Sequence, residues 1–390
     1  MTNYNLFAST YQGLEEVLKA EVDQILDTES SSIRRRGVAI SDRSLFDVYK
    51  LNFYSRTALR IFLELDRFEL RNAKDLYKHG KEIEWERWFS VNQTIKIEAT
   101  ANNSEYFDNE IFASQLLKDA ICDRFREIHG ERPSVSIDHP DILIHLQISS
   151  DNCTISLNST GDSLHKRGYK TKQTPAPISE VLAAGIIQLS GWKGEVPLLD
   201  PMCGSGTFLA EAFMLSDDIA AGKYRQWFAF KSWLPYNKED FAAIKHKSVL
   251  GSRKSFIEGS DIHPLSVMAA EENLSHLYKG RNPNVSVQDF FSLIKPFPKG
   301  VIFMNPPYDV RLEKKDIKEF YAQIGDHLKK NFEGWDAWIF SSNIDALKSV
   351  GLKPNRRIPL YNGPLEGRLM HFQLYKGSKR PRIKNIGDAT

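Results

Sequence analysis

Four consecutive residues combine an amide, two fixed turns of backbone and an aromatic ring: Asn305, Pro306, Pro307 and Tyr308, directly after the apolar run Val301-Ile302-Phe303-Met304. Each proline removes a backbone donor and fixes φ near −65°, so a strand ladder cannot continue past Met304. The residue before a proline is pushed to extended geometry, which holds Asn305 at the strand's carboxyl end. In open α/β sheets that end is where ligands bind. Taken alone, the run also reads as a proline-rich strand exit with a packing tyrosine.

A second constellation lies about a hundred residues upstream, in Asp200-Pro201-Met202-Cys203-Gly204-Ser205-Gly206-Thr207. A strand, a Gly-x-Gly loop and a helix start make a cofactor cradle, because helix N–H groups point out at the loop. Two features separate it from a dinucleotide site. The third glycine of G-x-G-x-x-G is replaced by Leu209. Asp200 would repel a pyrophosphate but would pair with an amino group. The implied ligand has a cationic end and no phosphates, an amino acid joined to a nucleoside, and S-adenosylmethionine fits. Asp261, followed by Ile262, ends the next strand and suits ribose hydroxyls. Asp289 closes a third, placed for an adenine amino group, with Phe290 able to lie on the ring. Singly, each aspartate is an ordinary strand-end or cap residue. Three at successive strand exits ahead of Asn305 read as one site. Cys203 reads as a small loop residue rather than a nucleophile.

The elements that must position these residues follow from periodicity. From Pro177 the pattern alternates: a helix over 179–190, a strand at 196–199, a helix from Thr207, a strand ending at Asp261, a helix over 264–277, and strands at 285–288 and 301–304. A helix near 315–330, a strand at 337–341 and two strands around Asn362-Gly363 complete it; Asn-Gly between apolar runs signals a hairpin. This predicts an α/β, Rossmann-like, mostly parallel seven-stranded sheet with an antiparallel terminal hairpin. Asp261 stands far beyond the usual offset of ~20 residues, so 215–255 must be an insertion, packed down by Trp227, Phe228, Phe230 and Trp233. The first half predicts α+β units: strands at 4–8, 34–40 and 60–70 with helices at 13–26 and 44–52, in ferredoxin-like order. Helices at 73–89 and 112–129 then alternate with strands at 94–99, 135–137, 142–148 and 153–158. The segment 161–174 is polar and basic, and reads either as a solvated linker or as a connector that touches phosphate or cofactor through Lys166, Arg167, Lys170 and Lys172.

Composition sets the frame. The 52 Lys+Arg against 50 Asp+Glu leave a net charge of +2, so any nucleic-acid surface must be local. Cys122, Cys153 and Cys203 lie far apart without a C-x-x-C, which points to a reducing compartment and to no metal site. No run approaches the ~18 apolar residues of a membrane helix, and the first residues lack a signal-peptide pattern. Cytoplasmic localisation is the expectation.

The segments quoted above resemble the THUMP-domain RNA guanine-N2-methyltransferases. Leu199 to Thr207 is similar to the family's first motif, and Asn305-Pro306-Pro307-Tyr308 to the catalytic motif of amino-methyltransferases. Leu164 to Tyr169 with Pro177 to Ala184 resembles the connector, and Asn362-Gly363-Pro364-Leu365 the last hairpin. Within the family, the likeness is to the guanine-N2 half of the bifunctional large-subunit rRNA methyltransferases, with the second methyltransferase unit absent. The resemblance implies an N-terminal ferredoxin-like region at 1–60, a THUMP RNA-binding domain at 61–158, a basic linker at 159–177, a class I S-adenosylmethionine-dependent methyltransferase domain at 178–376 and a basic tail at 377–390. Gln173-Thr174-Pro175 is similar to a motif that packs against the methionine part of the cofactor, adding Thr174 and Pro175 to the site. Asp309 stands where the family commonly has glycine.

On this reading Asn305 and Pro306 accept the N–H bonds of an exocyclic base amine, and Tyr308 stacks on the flipped-out base. The implied partner is RNA, 23S rRNA ahead of tRNA. The other readings are a tRNA guanine-N2 or adenine-N6 enzyme and, from another class, a non-catalytic RNA-binding assembly factor. Oligomeric state is not legible.

Overall fold

A computed structural model describes residues 3–175, 177–247, 255–277, 284–307 and 314–375, and builds them on two seven-stranded sheets. The first contains β1 (Tyr4–Ser9), α1 (Glu15–Leu26), β2 (Ser31–Arg34), β3 (Gly37–Arg43), α2 (Leu45–Tyr54) and β4 (Arg60–Glu69). It continues through α3 (Ala73–Glu82), β5 (Ile95–Asn102), α4 (Glu110–His129), β6 (Ile142–Ser149) and β7 (Asn152–Asn158), in the order β2-β3-β1-β4-β7-β6-β5. The ten-residue β4 pairs with β1 through Arg60–Leu63 and with β7 through Phe62–Glu69, so the two N-terminal units share a sheet.

Local chemistry explains where elements start. Ser44 and Asp47 form a capping box on α2, and Asn72 with Asp75 forms one on α3. The strand expected at 34–40 is a hairpin instead: β2 and β3 pair from Arg34↔Gly37 outward, and Arg36 turns the chain at φ 57°. Three successive arginines hide that turn, because arginine is not a turn residue by type. Residues 135–137 form no strand; Val135 makes one isolated bridge to Ile95.

The second sheet follows α5 (Glu180–Ser190) and contains β8 (Leu198–Asp200), α6 (Thr207–Ser216), α7 (Lys238–Lys247), β9 (Ile257–Asp261), α8 (Pro264–Ser275) and β10 (Val285–Val287). It ends with β11 (Val301–Met304), α9 (Lys314–Asn331), β12 (Asp336–Ser341), α10 (Ile344–Lys348), β13 (Arg356–Asn362) and β14 (Leu365–Gln373), in the order β10-β9-β8-β11-β12-β14-β13. The first five strands are parallel and the β13–β14 hairpin is antiparallel. The chain reverses direction across the sheet between β8 and β11, which opens a crevice at their carboxyl ends. No described helix is long and apolar enough to cross a membrane.

The segment between the halves is not a solvated linker. Leu164, Arg167 and Tyr169 are buried. The Arg167 guanidinium donates to Glu211 at 3.3 and 3.5 Å, to the Leu164 carbonyl at 2.9 Å and to the Arg56 carbonyl at 2.5 Å. Tyr169 donates to the same carboxylate at 3.3 Å, and Arg56 donates to the carbonyls of Met214 and Ile219 at 3.1 and 2.6 Å. Arg167 therefore does not reach RNA. Its charge is held inside by a partner 44 residues on, in a helix that reads as apolar. Lys170 is also turned inward, pairing with Glu180 at 3.1 Å and donating to Thr207 at 3.0 Å. Lys166 and Lys172 stay largely exposed, beside Asp162 and Glu272.

The insertion at 215–255 fastens the halves together. Phe228, Phe230, Trp233 and Phe241 join the core of the first sheet, with Phe230 4.6 Å from Tyr49 between ring centroids. Leu234 N–H donates to the Trp88 carbonyl at 2.8 Å, and the Tyr54 hydroxyl to the Ile244 carbonyl at 2.7 Å. Trp227 departs from the expected packing and is 41% exposed. Removing one partner of a buried ion pair leaves the other charge uncompensated. Arg167→Met should therefore lower unfolding stability by about 3–5 kcal/mol, whereas Lys166→Ala should stay within about 0.5 kcal/mol. Urea unfolding of the two variants checks this; equal midpoints would contradict the buried role.

Candidate active site

The crevice between β8 and β11 is a cavity of about 510 Å³, within the ordinary range of small-molecule sites. Its floor is the loop after β8. Asp200 ends that strand buried, and its Oδ1 accepts from Met202 N–H at 3.3 Å. Cys203 N–H donates to the Ser260 carbonyl at 2.9 Å, and Gly204 N–H to Asp261 Oδ2 at 3.0 Å, so the loop is tied to the exit of β9. Gly206 caps α6 at φ 80°, and a Cβ there would stand 3.2 Å from Ala270 on α8. Only glycine gives both that conformation and that close helix approach. Gly204, at φ 52°, faces Thr174, whose hydroxyl would lie 3.3 Å from an added Cβ.

Asp261 uses its second oxygen on His263 N–H at 2.9 Å and keeps lone pairs toward the cavity. Ile262, beside it, is exposed and lines the wall. Asp289 is exposed at the far end, where it caps the short turn Phe290–Ser292 by accepting from Phe291 N–H at 3.1 Å. Phe290 is buried, its ring edge-on to His327 at 4.7 Å, and lines the same end with Phe291 and Phe320. Met202, Ser205, Thr207, Thr174 and Pro175 complete the lining.

At the mouth stands the exit of β11. Asn305 is half-buried, Pro306 buried and Pro307 exposed, and all three face the cavity. The Asn305 Oδ1 is buried with no hydrogen-bond partner among the described residues. A buried acceptor left unpaired costs about 1–3 kcal/mol, so an atom held this way marks a place for a donor. The Pro307 carbonyl accepts from the Tyr321 hydroxyl at 3.4 Å, and that hydroxyl shares a 2.7 Å bond with Ser341. Tyr308 and Asp309 lie outside the described residues.

Two positioning groups were not read from the sequence. Asn273, fully buried in α8, accepts from the backbone N–H of Thr171 and Lys172 and donates to the Ser205 carbonyl at 3.0 Å, so it pins connector and cofactor loop together. A polar residue on a helix face between Ala270 and Leu274 was the available signal. Tyr321 and Ser341 gave none, since their meeting depends on α9 packing against the end of β12.

Electrostatics decide what the cavity accepts. Burial lifts the Asp200 carboxyl well above the usual carboxylate range; Met202 N–H opposes this and Asp261 adds to it. No cation of the protein pairs with Asp200 among the described residues, which fits it to accept a ligand's ammonium. Burial also raises the Cys203 thiol well above its ordinary value, which suits a small protonated loop residue. The residues fit an amino-acid nucleoside, with a carboxylate at one end, aspartate acceptors in the middle and aromatic rings at the other. Among the described residues no cluster of three or more His, Cys, Asp or Glu is placed to hold a metal ion.

Comparison with known proteins places this geometry among methyltransferases. Residues 167–371 match the model of the RMKL-like methyltransferase domain, 71–158 the THUMP domain and 5–62 the RlmL ferredoxin-like domain. A protein of Synechocystis named "Putative RNA methyltransferase slr0064" is 36% identical over 95% of this chain and 96% of its own. The "Ribosomal RNA large subunit methyltransferase K/L" of Psychromonas ingrahamii is 34% identical over 97% of this chain, which spans about half (51%) of that longer protein. The crystal structure of SMU.472, "a putative methyltransferase complexed with SAH", superposes with a TM-score of 0.85 at 25% identity, covering 97% of this chain and 100% of that one.

The raised Asp200 carboxyl sets a pH dependence. A carboxyl whose pKa lies above its usual range in the free protein is partly protonated there. A bound ammonium restores its charge and expels the proton. Affinity for S-adenosylhomocysteine should therefore rise with pH up to the free-state pKa and then level off, with up to one proton released on binding. Calorimetry in two buffers of different ionisation enthalpy, at a pH on the rising part of that profile, measures the release; Asp200→Asn should abolish it, and an affinity that does not change with pH would contradict the assignment.

Proposed function

The chain belongs to the RMKL-like methyltransferase family, and on that premise we propose that it methylates the exocyclic N2 of a guanine in 23S rRNA, using S-adenosylmethionine. The THUMP match and the large-subunit rRNA names of the K/L relatives support the RNA substrate. The single observation that carries the reaction type is the unpaired, buried Oδ1 of Asn305 at the mouth of the cofactor cavity.

When bound, the cofactor supplies an electrophilic methyl group on a sulfonium. An exocyclic base amine is a weak nucleophile, because its lone pair is delocalised into the ring. Asn305 Oδ1 and the Pro306 carbonyl accept its two N–H bonds, which turns the lone pair toward the cavity. The stiffness of the two prolines, with the Tyr321 bond to the Pro307 carbonyl, keeps those acceptors fixed. Positioning of this kind supplies up to about 7–11 kcal/mol of barrier reduction without a strong base. As the N–C bond forms, the methyl–sulfur bond breaks with its electron pair going to sulfur, which leaves S-adenosylhomocysteine, and the amine loses one proton to solvent. Asp200 holds the ammonium end of the donor and Asp261 its ribose, and the methyltransferase half needs no strong base of its own at the reacting atom.

Asn305→Ala should lower methyl transfer to undermodified 23S rRNA by about 10²–10³-fold, the scale for losing one oriented hydrogen-bonding group at a reacting centre. S-adenosylhomocysteine affinity should change little. Mass spectrometry of nucleosides from the reacted RNA should return N2-methylguanosine. N6-methyladenosine there, or transfer only to tRNA, would replace the substrate named here, and full activity in Asn305→Ala would remove the clamp.

A further inference from the structure

Of the seven tryptophans in the chain, six are buried to 5% exposure or less, and Trp227 alone is 41% exposed. It is not a loose side chain. Its six-membered ring lies against Gly161, where φ is 81° and an added Cβ would stand 2.3 Å from the ring. Arg225 locks the surrounding loop: its guanidinium donates to the carbonyls of Thr160, Asp162, Ser163 and Lys166. A large ring is thus held rigidly at the surface of a molecule that hides every other tryptophan.

Its position joins two hollows. One, about 710 Å³, lies between the connector and the Asn362-Gly363 turn, and Pro177 and Ile178 line both it and the cofactor cavity. The other, about 430 Å³, lies on the first sheet beside Arg60 and Lys96. Trp227 and Asp162 line both hollows, so the two adjoin at the indole, and with the first adjoining the cofactor cavity at Pro177 and Ile178 they form a row, the track, from that cavity to the N-terminal half. Along it are polar groups with nothing to bond. The Arg60 guanidinium has no hydrogen bond or ion pair among the described residues, and its Nε is buried. The Nδ1 of His165 is likewise buried and unpartnered. Most acidic groups lining the two hollows are engaged, Asp141 by Thr94, Glu98 by Lys96, Asp162 by Lys166 and Glu180 by Lys170, while Asp138 has no such partner among the described residues.

We propose that this track carries the single-stranded RNA next to the target nucleotide, with a base stacked on Trp227 and a phosphate held by Arg60. The proposal rests on the RNA reading above and adds the route. An aromatic face serves any base, because every base has a π-face, and a free guanidinium matches a phosphate. The route also explains why the insertion, which belongs in sequence to the second half, presents its exposed ring at the border of the first.

The test is intrinsic fluorescence with a 23S rRNA fragment carrying the target guanine. RNA should quench wild-type emission, since the exposed tryptophan is the one at the track. In Trp227→Leu the quenching should vanish and RNA affinity should fall about tenfold, within the range of losing one base stack, with S-adenosylhomocysteine affinity unchanged. Trp227→Phe should also lose quenching but keep most of the affinity, which separates stacking from misfolding. Arg60→Gln should weaken binding and flatten its salt dependence. RNA binding with no quenching, or with unchanged affinity in Trp227→Leu, would overturn the track and leave the RNA reading intact. Absence of any RNA binding by the wild-type protein would overturn both, as would quenching by a ribosomal protein and not by RNA.

Discussion

The two sheets are held in one arrangement by a charge that has nowhere else to go. Arg167 is buried at the join, and its donors reach the carboxylate of Glu211 on α6, the carbonyl of Leu164 beside it and the carbonyl of Arg56 in the first half. Burial, with a smaller push from Glu180, drives the Glu211 carboxyl above its usual range, and Arg167 and Arg56 pull it back. Such a pair adds little net stability compared with an apolar packing of the same volume, but its geometry is exacting. Here it gives register. The helix that carries Glu211 is the one whose first turn closes the cofactor loop, so the half that meets RNA and the loop that holds the donor share one anchor.

From that anchor the site follows with few degrees of freedom. β8 delivers Asp200, the tie from Gly204 to Asp261 closes the loop, and β11 stops at prolines that present Asn305. Several buried groups of the cavity lack a partner among the described residues: the Asp200 carboxyl has no cation, the Asn305 amide oxygen no donor, and the Ser205 hydroxyl no hydrogen bond. On the function proposed above, Asp200 would meet the ammonium of the donor and Asn305 the amine that receives the methyl. The rest of the cavity mixes aromatic and aliphatic side chains with the polar Asp261, Asp289, Ser205 and Thr207.

The sequence was most legible where function is written in contiguous residues. Asp200 to Thr207 and Asn305 to Pro307 declare a loop and a strand exit by type alone, and both line the cavity. Long periodic elements such as α4 and the terminal β13–β14 hairpin were also readable. What failed to show was everything settled by distant partners. Lys166, Arg167, Lys170 and Lys172 look alike as a basic run, yet two turn inward because Glu211 and Glu180 wait there. The turn at Arg36 has no turn residue to announce it. The aromatic run of the insertion reads as packing it down, and Phe228, Phe230 and Trp233 do so in the core of the other half, a destination the sequence does not name, while Trp227 stays out.

That borrowed core has a consequence for how the molecule is made. Tyr49 and Phe53 meet Phe230 and Phe241 only after some 180 further residues have been synthesised. At about 5–20 residues per second the wait is roughly 10–40 s. Until then the first sheet carries an uncovered aromatic face, and the slow search for a distant partner raises the contact order of the whole fold. The nascent chain thus has a window in which a holdase or the ribosome surface must stand in for its own insertion. The feature that makes the finished molecule a single body makes its first half an unfinished one during birth.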